Sequence, residues 1–248
     1  MYQYKRGDFV NLMFGPLALT TLFNKKRGGN LPPTGASLSA YTWEQIAAVS
    51  EAGVASNYWN IGDEIDIDTI GTVQIYDFSH DDLVGGGVAG ITFGMKNSLN
   101  TKRALNAAST NAGGWEAAEL RAGFLTTTAF DGLPEDLRNV IKSSAKSTAN
   151  GGSQAGSDVI ITADKLFLFS EVEVLGTNPS SHPGEGFRYP IFQDGNYTKA
   201  NMSGNTSGWW TRSPAQNSTS HFRNFGWNGA NSAGGANSTN GISFGFCV

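Results

Sequence analysis

Apolar residues recur along the chain in two rhythms. Trp43, Ile46, Ala47 and Val49 are spaced as one face of a helix, whereas Thr72-Val73-Gln74-Ile75-Tyr76-Asp77-Phe78 alternates as a strand does. The helix carries its own start and stop signals, with Thr42 and Gln45 in the capping-box pattern and Gly53 closing it. Tyr58–Asp63 and Gly90–Met95 predict further short strands by their β-branched and aromatic content. A second helix is expected from Asn111 to Phe130, entered through Gly113-Gly114-Trp115 and carrying Leu120 and Phe124. A third starts at Leu133-Pro134, with Glu135 and Asp136 complementing its dipole. Leu137, Val140 and Ile141 form its inward face, and Lys142 and Lys146 fall near its C-terminal end. Ala149–Ser157 reads as a Gly/Ser loop, Asp164–Val174 as a strand running into a polar turn, and Ile242–Val248 as a closing strand. Helices confined to about 42–53 and 111–148, with strands on either side and no regular alternation, predict the α+β class.

Residues 1–40 stand apart from this pattern. Apolar positions up to Phe23 give way to Lys25-Lys26-Arg27-Gly28-Gly29 and then Leu31-Pro32-Pro33, which punctuates the chain strongly. This segment is either an arm that pairs with a neighbouring subunit or carrier, or a first strand of the main domain. The start lacks the clean apolar core and cleavage site of a secretory signal, and Phe9–Phe23 is interrupted and too short to cross a bilayer. The expectation is a protein made in the cytoplasm without membrane insertion. The net charge of −4 and the lack of a basic stripe argue against a nucleic-acid partner. The single cysteine, Cys247, cannot form an internal disulfide and reads as a small apolar residue of the last strand.

Chemistry has few candidates. His80-Asp81-Asp82 could bind a metal or relay protons, but a polar turn in which these side chains bond backbone amides is the plainer reading. The alternating acids of Gly62–Asp68 lack the order of a calcium loop and suit an exposed strand face. Gly85-Gly86-Gly87 lacks the lysine of a phosphate loop. His182 and His221 have no obvious nucleophile beside them. No catalytic residue, metal or cofactor is expected. The alternative is a carbohydrate-processing enzyme or lysin module using His80, Asp81 and Asp82.

The informative stretch is C-terminal. After Asp194 the sequence contains no Asp or Glu, although the chain has 21 acids. Of the 25 residues in Gln216–Asn240, 19 are Asn, Ser, Thr, Gly or Ala, which is also the composition of a flexible linker. Structured sequence brackets the tract, however: Gly208-Trp209-Trp210-Thr211-Arg212-Ser213-Pro214 before it and the closing strand after it. Aromatics and an arginine set among amides and hydroxyls are the palette of a binding surface.

The Trp209-Trp210-Thr211-Arg212-Ser213-Pro214 stretch, the Asn-rich tract and the ending Gly241-Ile242-Ser243-Phe244-Gly245-Phe246-Cys247 resemble the variable region of diversity-generating retroelement target proteins. Trp43, Ile46, Asn60–Asp63, Phe78–Leu83 and Gly113–Trp115 extend the resemblance over about residues 41–248. It implies a C-type-lectin-like fold, with two or three helices, short antiparallel strands and a long loop-rich C-terminal variable region. It also implies an arm over 1–40, a domain over 41–248 and a variable region at about 216–240, in a family common in phages and prophages. In that family randomised adenines reach Asn, Ser, Thr, Gly, Ala, His, Phe and Arg but not Trp, so every residue from Asn217 to Thr239 is reachable except Trp227.

The resemblance assigns ligand contacts to Asn217, Ser218, Thr219, Ser220, His221, Phe222, Arg223, Asn224, Phe225, Trp227, Asn228, Asn231, Ser232, Asn237, Ser238 and Thr239. Phe222, Arg223, Phe225 and Trp227 would be the anchors, with Trp227 also pinned into the framework. Trp209, Trp210 and Arg212 would be framework. The implied function is host recognition by a receptor-binding display protein on a phage tail, tail fibre or cell surface. Its partners would be a host-surface protein or glycan and, through the arm, a carrier; avidity suits a homotrimer. Thr177-Asn178-Pro179-Ser180 and Trp227-Asn228-Gly229 depart from the motifs of calcium-dependent sugar-binding lectins, so calcium-mediated sugar binding is not implied.

Overall fold

Alternating side chains organise the centre of the molecule. The structure, a computed structural model, describes residues 31–151 and 158–248. Strands β1 (Glu64–Ile67), β2 (Gly71–Phe78) and β3 (Ile91–Met95) form a meander. After β4 (Ser144–Ala149) and β5 (Val159–Asp164), β6 (Phe167–Leu168) returns to this sheet. The last strand, β12 (Phe244–Cys247), inserts between β3 and β6, giving the order β1-β2-β3-β12-β6 with antiparallel neighbours.

Period-two alternation gives this sheet two apolar faces. Val73, Ile75, Phe93, Phe244 and Phe246 belong to one core cluster, which is covered by α1 (Trp43–Glu51) through Trp43, Ile46 and Val49. Trp43 meets Phe93 and Phe246 edge-on at 5.5 and 6.0 Å. Tyr76, Phe167 and Cys247 belong to a second cluster with Phe169, Tyr189, Phe192, Trp209 and Phe225. Gly94 and Gly245 face each other across the β3–β12 register. A Cβ on Gly94 would lie 2.4 Å from the Tyr76 ring, and one on Gly245 2.7 Å from Phe169, so both glycines make room for rings that stack at 4.9 Å.

The remaining strands form smaller units. β4 and β5 make a hairpin, and β7 (Lys199–Ala200) pairs with β8 (Thr206–Ser207). β9 (Trp209–Pro214), β10 (His221–Phe225) and β11 (Asn231–Gly235) form a three-stranded sheet in the order β11-β10-β9. Residues 1–30 of the expected arm lie outside the described residues. Leu38 is buried in the main core, and the carbonyls of Pro32 and Pro33 accept hydrogen bonds from the hydroxyls of Tyr58 and Tyr41. The packed chain therefore starts ahead of residue 41.

The expected α+β, C-type-lectin-like architecture is not what the structure contains. The described residues form mostly small antiparallel sheets, with short helical segments, so the molecule is β-rich. The long helical region foreseen at 111–148 is where the expectation fails. Gly113 and Gly114 adopt positive φ and turn the chain. Leu120–Ala129 is a π-helix, in which the hydroxyls of Thr126 and Thr127 bond the carbonyls of Arg121 and Gly123. Such side-chain bonding competes with ordinary helical pairing. The helix α2 (Glu135–Val140) has only six residues, and from Ser144 the chain is strand β4, so Lys146 is a strand residue rather than a helix-end cation. Tyr58–Asp63 is a turn, closed by an Asp63 amide to Asn60 carbonyl bond of 3.1 Å, rather than a strand. In place of a polar turn, Glu171–Leu175 forms helix α3, capped reciprocally by Ser170 and Glu173.

Candidate binding surface

Paired tryptophans fix the start of the C-terminal sheet. Neighbouring residues of a strand face opposite ways, so Trp209 enters the second cluster and Trp210 the main one, and both are fully buried. Trp209 stacks on Phe225 at 4.9 Å and donates to the Tyr197 carbonyl at 2.9 Å. Trp210 donates to the Arg103 carbonyl at 2.9 Å. Arg212, also fully buried, pairs with both oxygens of Glu173 at 2.5 and 2.8 Å and donates to Thr148 Oγ1 at 2.7 Å. These three residues hold β9 in place as framework.

β10 is the middle strand and is enclosed on both sides. Phe222 packs in the main cluster and Phe225 in the second. Arg223 donates to Glu171 Oε1 at 2.8 Å, and Asn231 Nδ2 reaches the same oxygen at 2.8 Å. Arg223 also donates to Asn231 Oδ1 at 2.8 Å, which ties the two strands to a fully buried carboxylate on α3. Phe222, Arg223, Asn224 and Phe225 are all buried, so their expected place on a ligand face is corrected: they belong to the framework. The expectation for Trp227 is corrected in the opposite sense. Its indole is 66% exposed at the tip of the β10–β11 hairpin and is not a pin into the core.

Order in the tract comes from backbone and amide bonds. At the tip, the Gly226 amide bonds the Ala230 carbonyl at 2.8 Å, Asn228 Oδ1 accepts from the Ala230 amide at 3.1 Å, and Gly229 takes φ 77°. At the other end, buried Asn111 donates to the carbonyls of Ser218 and His221, both at 2.7 Å. Its amide donates to Thr219 O at 2.9 Å. His221 Nδ1 lies 2.8 and 3.0 Å from the hydroxyls of Ser218 and Ser220. Buried Ala236 links Ser220 to Leu105 and Asn106 through main-chain bonds of 2.8–3.0 Å.

The outward residues fall into two groups. Trp227, Asn228, Asn231 and Ser232 are exposed around the tip and on the edge strand. Asn217, Thr219, Asn237, Ser238 and Thr239 are exposed at the opposite end, where Ser218, Ser220 and His221 are half-buried. The absence of acids after Asp194 has a structural counterpart, because Arg212 and Arg223 draw their carboxylates from Glu173 and Glu171.

His80, Asp81 and Asp82 all line one cavity, though each is held differently. Asp82 is exposed. His80 stacks on Tyr189 at 4.0 Å and bonds Asp77 at 2.7 Å. Burial disfavours the imidazolium, but the Asp77 bond and nearby carboxylates outweigh it and raise the His80 pKa. Asp81 is buried and accepts from Lys146 at 2.5 Å, Thr92 at 2.6 Å and Tyr189 at 2.8 Å. Burial opposes its ionisation, yet the Lys146 ammonium holds its carboxyl well below the usual range. Lys146 also reaches Glu173 at 3.0 Å, so Asp81, Lys146, Glu173 and Arg212 form one internally paired chain. A cavity of about 270 Å³ adjoins this chain beside Phe187. Among the described residues no group of three or more His, Cys, Asp or Glu side chains could hold a metal ion, and no helix is long and apolar enough to cross a membrane.

Fold and surface together define a β-rich protein that holds a polar hairpin on a deeply buried aromatic and ionic framework. Residues 89–248 match the family described as a domain of unknown function, DUF6273, and the chain belongs to that family. No curated protein and no solved structure matches the chain.

Proposed function

We propose that the protein is a ligand-binding display protein of the diversity-generating retroelement kind, recognising a host-surface protein or glycan through its C-terminal hairpin. One observation carries this reading: the Asn/Ser/Thr-rich tract is ordered, with Phe222 and Phe225 buried and Trp227 and its amide and hydroxyl neighbours turned outward. A preordered surface loses less entropy on contact than a flexible linker. A large exposed aromatic among adaptable polar groups suits recognition of a macromolecule. In this reading Asn217, Thr219, Trp227, Asn228, Ser232, Asn237, Ser238 and Thr239 touch the ligand, and Asp81, Lys146, Glu173 and Arg212 hold the framework without turnover. The part of the N-terminal arm ahead of the packed chain attaches the protein to a phage tail or another carrier, which takes it from the cytoplasm to a virion or cell surface.

The gene tests this directly. The reading requires a nearby imperfect repeat of the 217–239 coding stretch that differs from it only at adenines, beside a reverse transcriptase. A locus without both overturns the retroelement assignment.

A further inference from the structure

We propose that the cleft between residues 102–107 and the π-helix Leu120–Ala129 is an anion-binding site that takes a carboxylate or phosphate group. The proposal does not rest on the display reading, because no side chain it uses lies within 216–240. The cleft has a volume of about 470 Å³ and is lined by Lys102, Arg103, Glu119, Gly123 and Phe124, among others. The Arg103 guanidinium lies over the Phe124 ring, 3.9 Å from its centroid. That geometry holds the planar fork in a fixed orientation and leaves its in-plane donors for an oxyanion.

Two observations point to a ligand. Among the described residues Arg103 Nε is buried without an acceptor and closed off from the cleft, so the guanidinium is under-satisfied and it is its terminal nitrogens that an oxyanion would meet. The ion pairs of the described residues also include neither Lys102 nor Arg103. Glu119, the carboxylate of the lining, accepts from the Ala107 amide at 3.1 Å and pairs with neither cation. The cleft therefore carries two positive charges against one negative.

Arg103 is set in place by its main chain. Its amide donates to the Asn240 carbonyl at 3.0 Å, and its carbonyl accepts from the Asn240 amide at 3.0 Å and from Trp210 Nε1 at 2.9 Å. The side chain can therefore be changed without disturbing those bonds. The same bonds put the cleft next to the exposed Asn237–Thr239 loop.

The test is titration of the full chain at low salt with inorganic phosphate, glucuronate and N-acetylneuraminate, with glucose as the uncharged control. We expect saturable binding of at least one anion, little of glucose, and weakening as salt rises. Arg103→Gln should lower affinity at least tenfold with an unchanged melting temperature. Should that variant fold poorly, Lys102→Gln at an exposed position should still lower affinity several-fold. Phosphate binding alone assigns the site to phosphate groups, and binding of the two acidic sugars alone assigns it to carboxylated saccharides. Failure of all three anions, equal binding of glucose, or full affinity in a folded Arg103→Gln, Lys102→Gln double variant would overturn the proposal.

Discussion

Glu185 sits beneath the C-terminal sheet, fully buried, accepting from the Ala149 amide at 3.0 Å and from the Ser213 hydroxyl. Burial pushes its carboxyl up to about 7 from the ordinary 4.5, against the pull of those two donors. Between these values the folded state holds the proton that the unfolded chain has released, so this group lowers stability as pH rises from about 4.5 to 7. Glu185→Gln, which keeps an acceptor for Ala149 and a donor for Ser213, should remove that slope. Melting curves of the two proteins between pH 5 and 8 should diverge in favour of the variant as pH rises, and parallel curves would contradict the assignment. Trp227→Ala at the exposed tip should change stability by no more than about 0.5 kcal/mol in urea unfolding, as at other surface sites. A loss of several kcal/mol would mean that the indole is a structural pin after all. The burial of Trp209 and Trp210 was legible, since paired indoles beside an amide-rich tract need a core. The roles of Arg223 and Trp227 were not: the carboxylate that takes Arg223 inward lies 52 residues away, and sequence alone cannot say which aromatic of a hairpin falls on its tip.

At the scale of elements, local signals were read well where they act locally. The capping box of Thr42 and Gln45 opens α1, Pro134 with two acids opens α2, and the alternation of β12 and of β2 up to Tyr76 holds. A register shift between Ile75 and Asp77 then returns Phe78 to the main cluster. The same Ser-x-x-Glu signal at Ser170 and Glu173 marks α3, where the surrounding apolar run suggested a strand. Residues 111–148 misled because their apolar spacing fits a helix, while Gly113, Gly114 and the Thr126–Thr128 run work against one. The facing glycines of β3 and β12 test how tightly the central sheet is packed. Gly94→Ala puts a methyl group into the Tyr76 ring and should cost about 1–3 kcal/mol, read as a lower denaturation midpoint. A neutral result would show that the Tyr76–Phe169 stack is free to move.

On the scale of the whole molecule, a buried chain of charges crosses between units that the sequence separates widely. Asp81 precedes β3, Lys146 lies on β4, Glu173 on α3 and Arg212 on β9. Burial opposes the ionised form of Glu173, but Arg212 and Lys146 together lower its pKa. Glu173→Gln would leave the buried Arg212 guanidinium without its carboxylate, with Lys146 keeping only Asp81, and should cost about 3–5 kcal/mol in equilibrium unfolding, whereas a loss under 1 kcal/mol would show that the chain is not a structural tie. Because these partners lie 27–65 residues apart along the chain, their pairing was not legible beforehand, and neither was the β-rich architecture they hold together.

The central claim is that one hairpin combines a fixed interior with a replaceable surface. It is tested most directly by substituting every position from 217 to 239 in turn and scoring folding by resistance to proteolysis. The account predicts broad tolerance at Asn217, Thr219, Trp227, Asn228, Ser232 and Asn237–Thr239. It predicts intolerance at Phe222, Arg223, Phe225 and Ala236, with Phe222→Ala losing about 3–5 kcal/mol. Uniform tolerance across the tract would return it to a passive linker, and uniform intolerance would leave no surface free to vary.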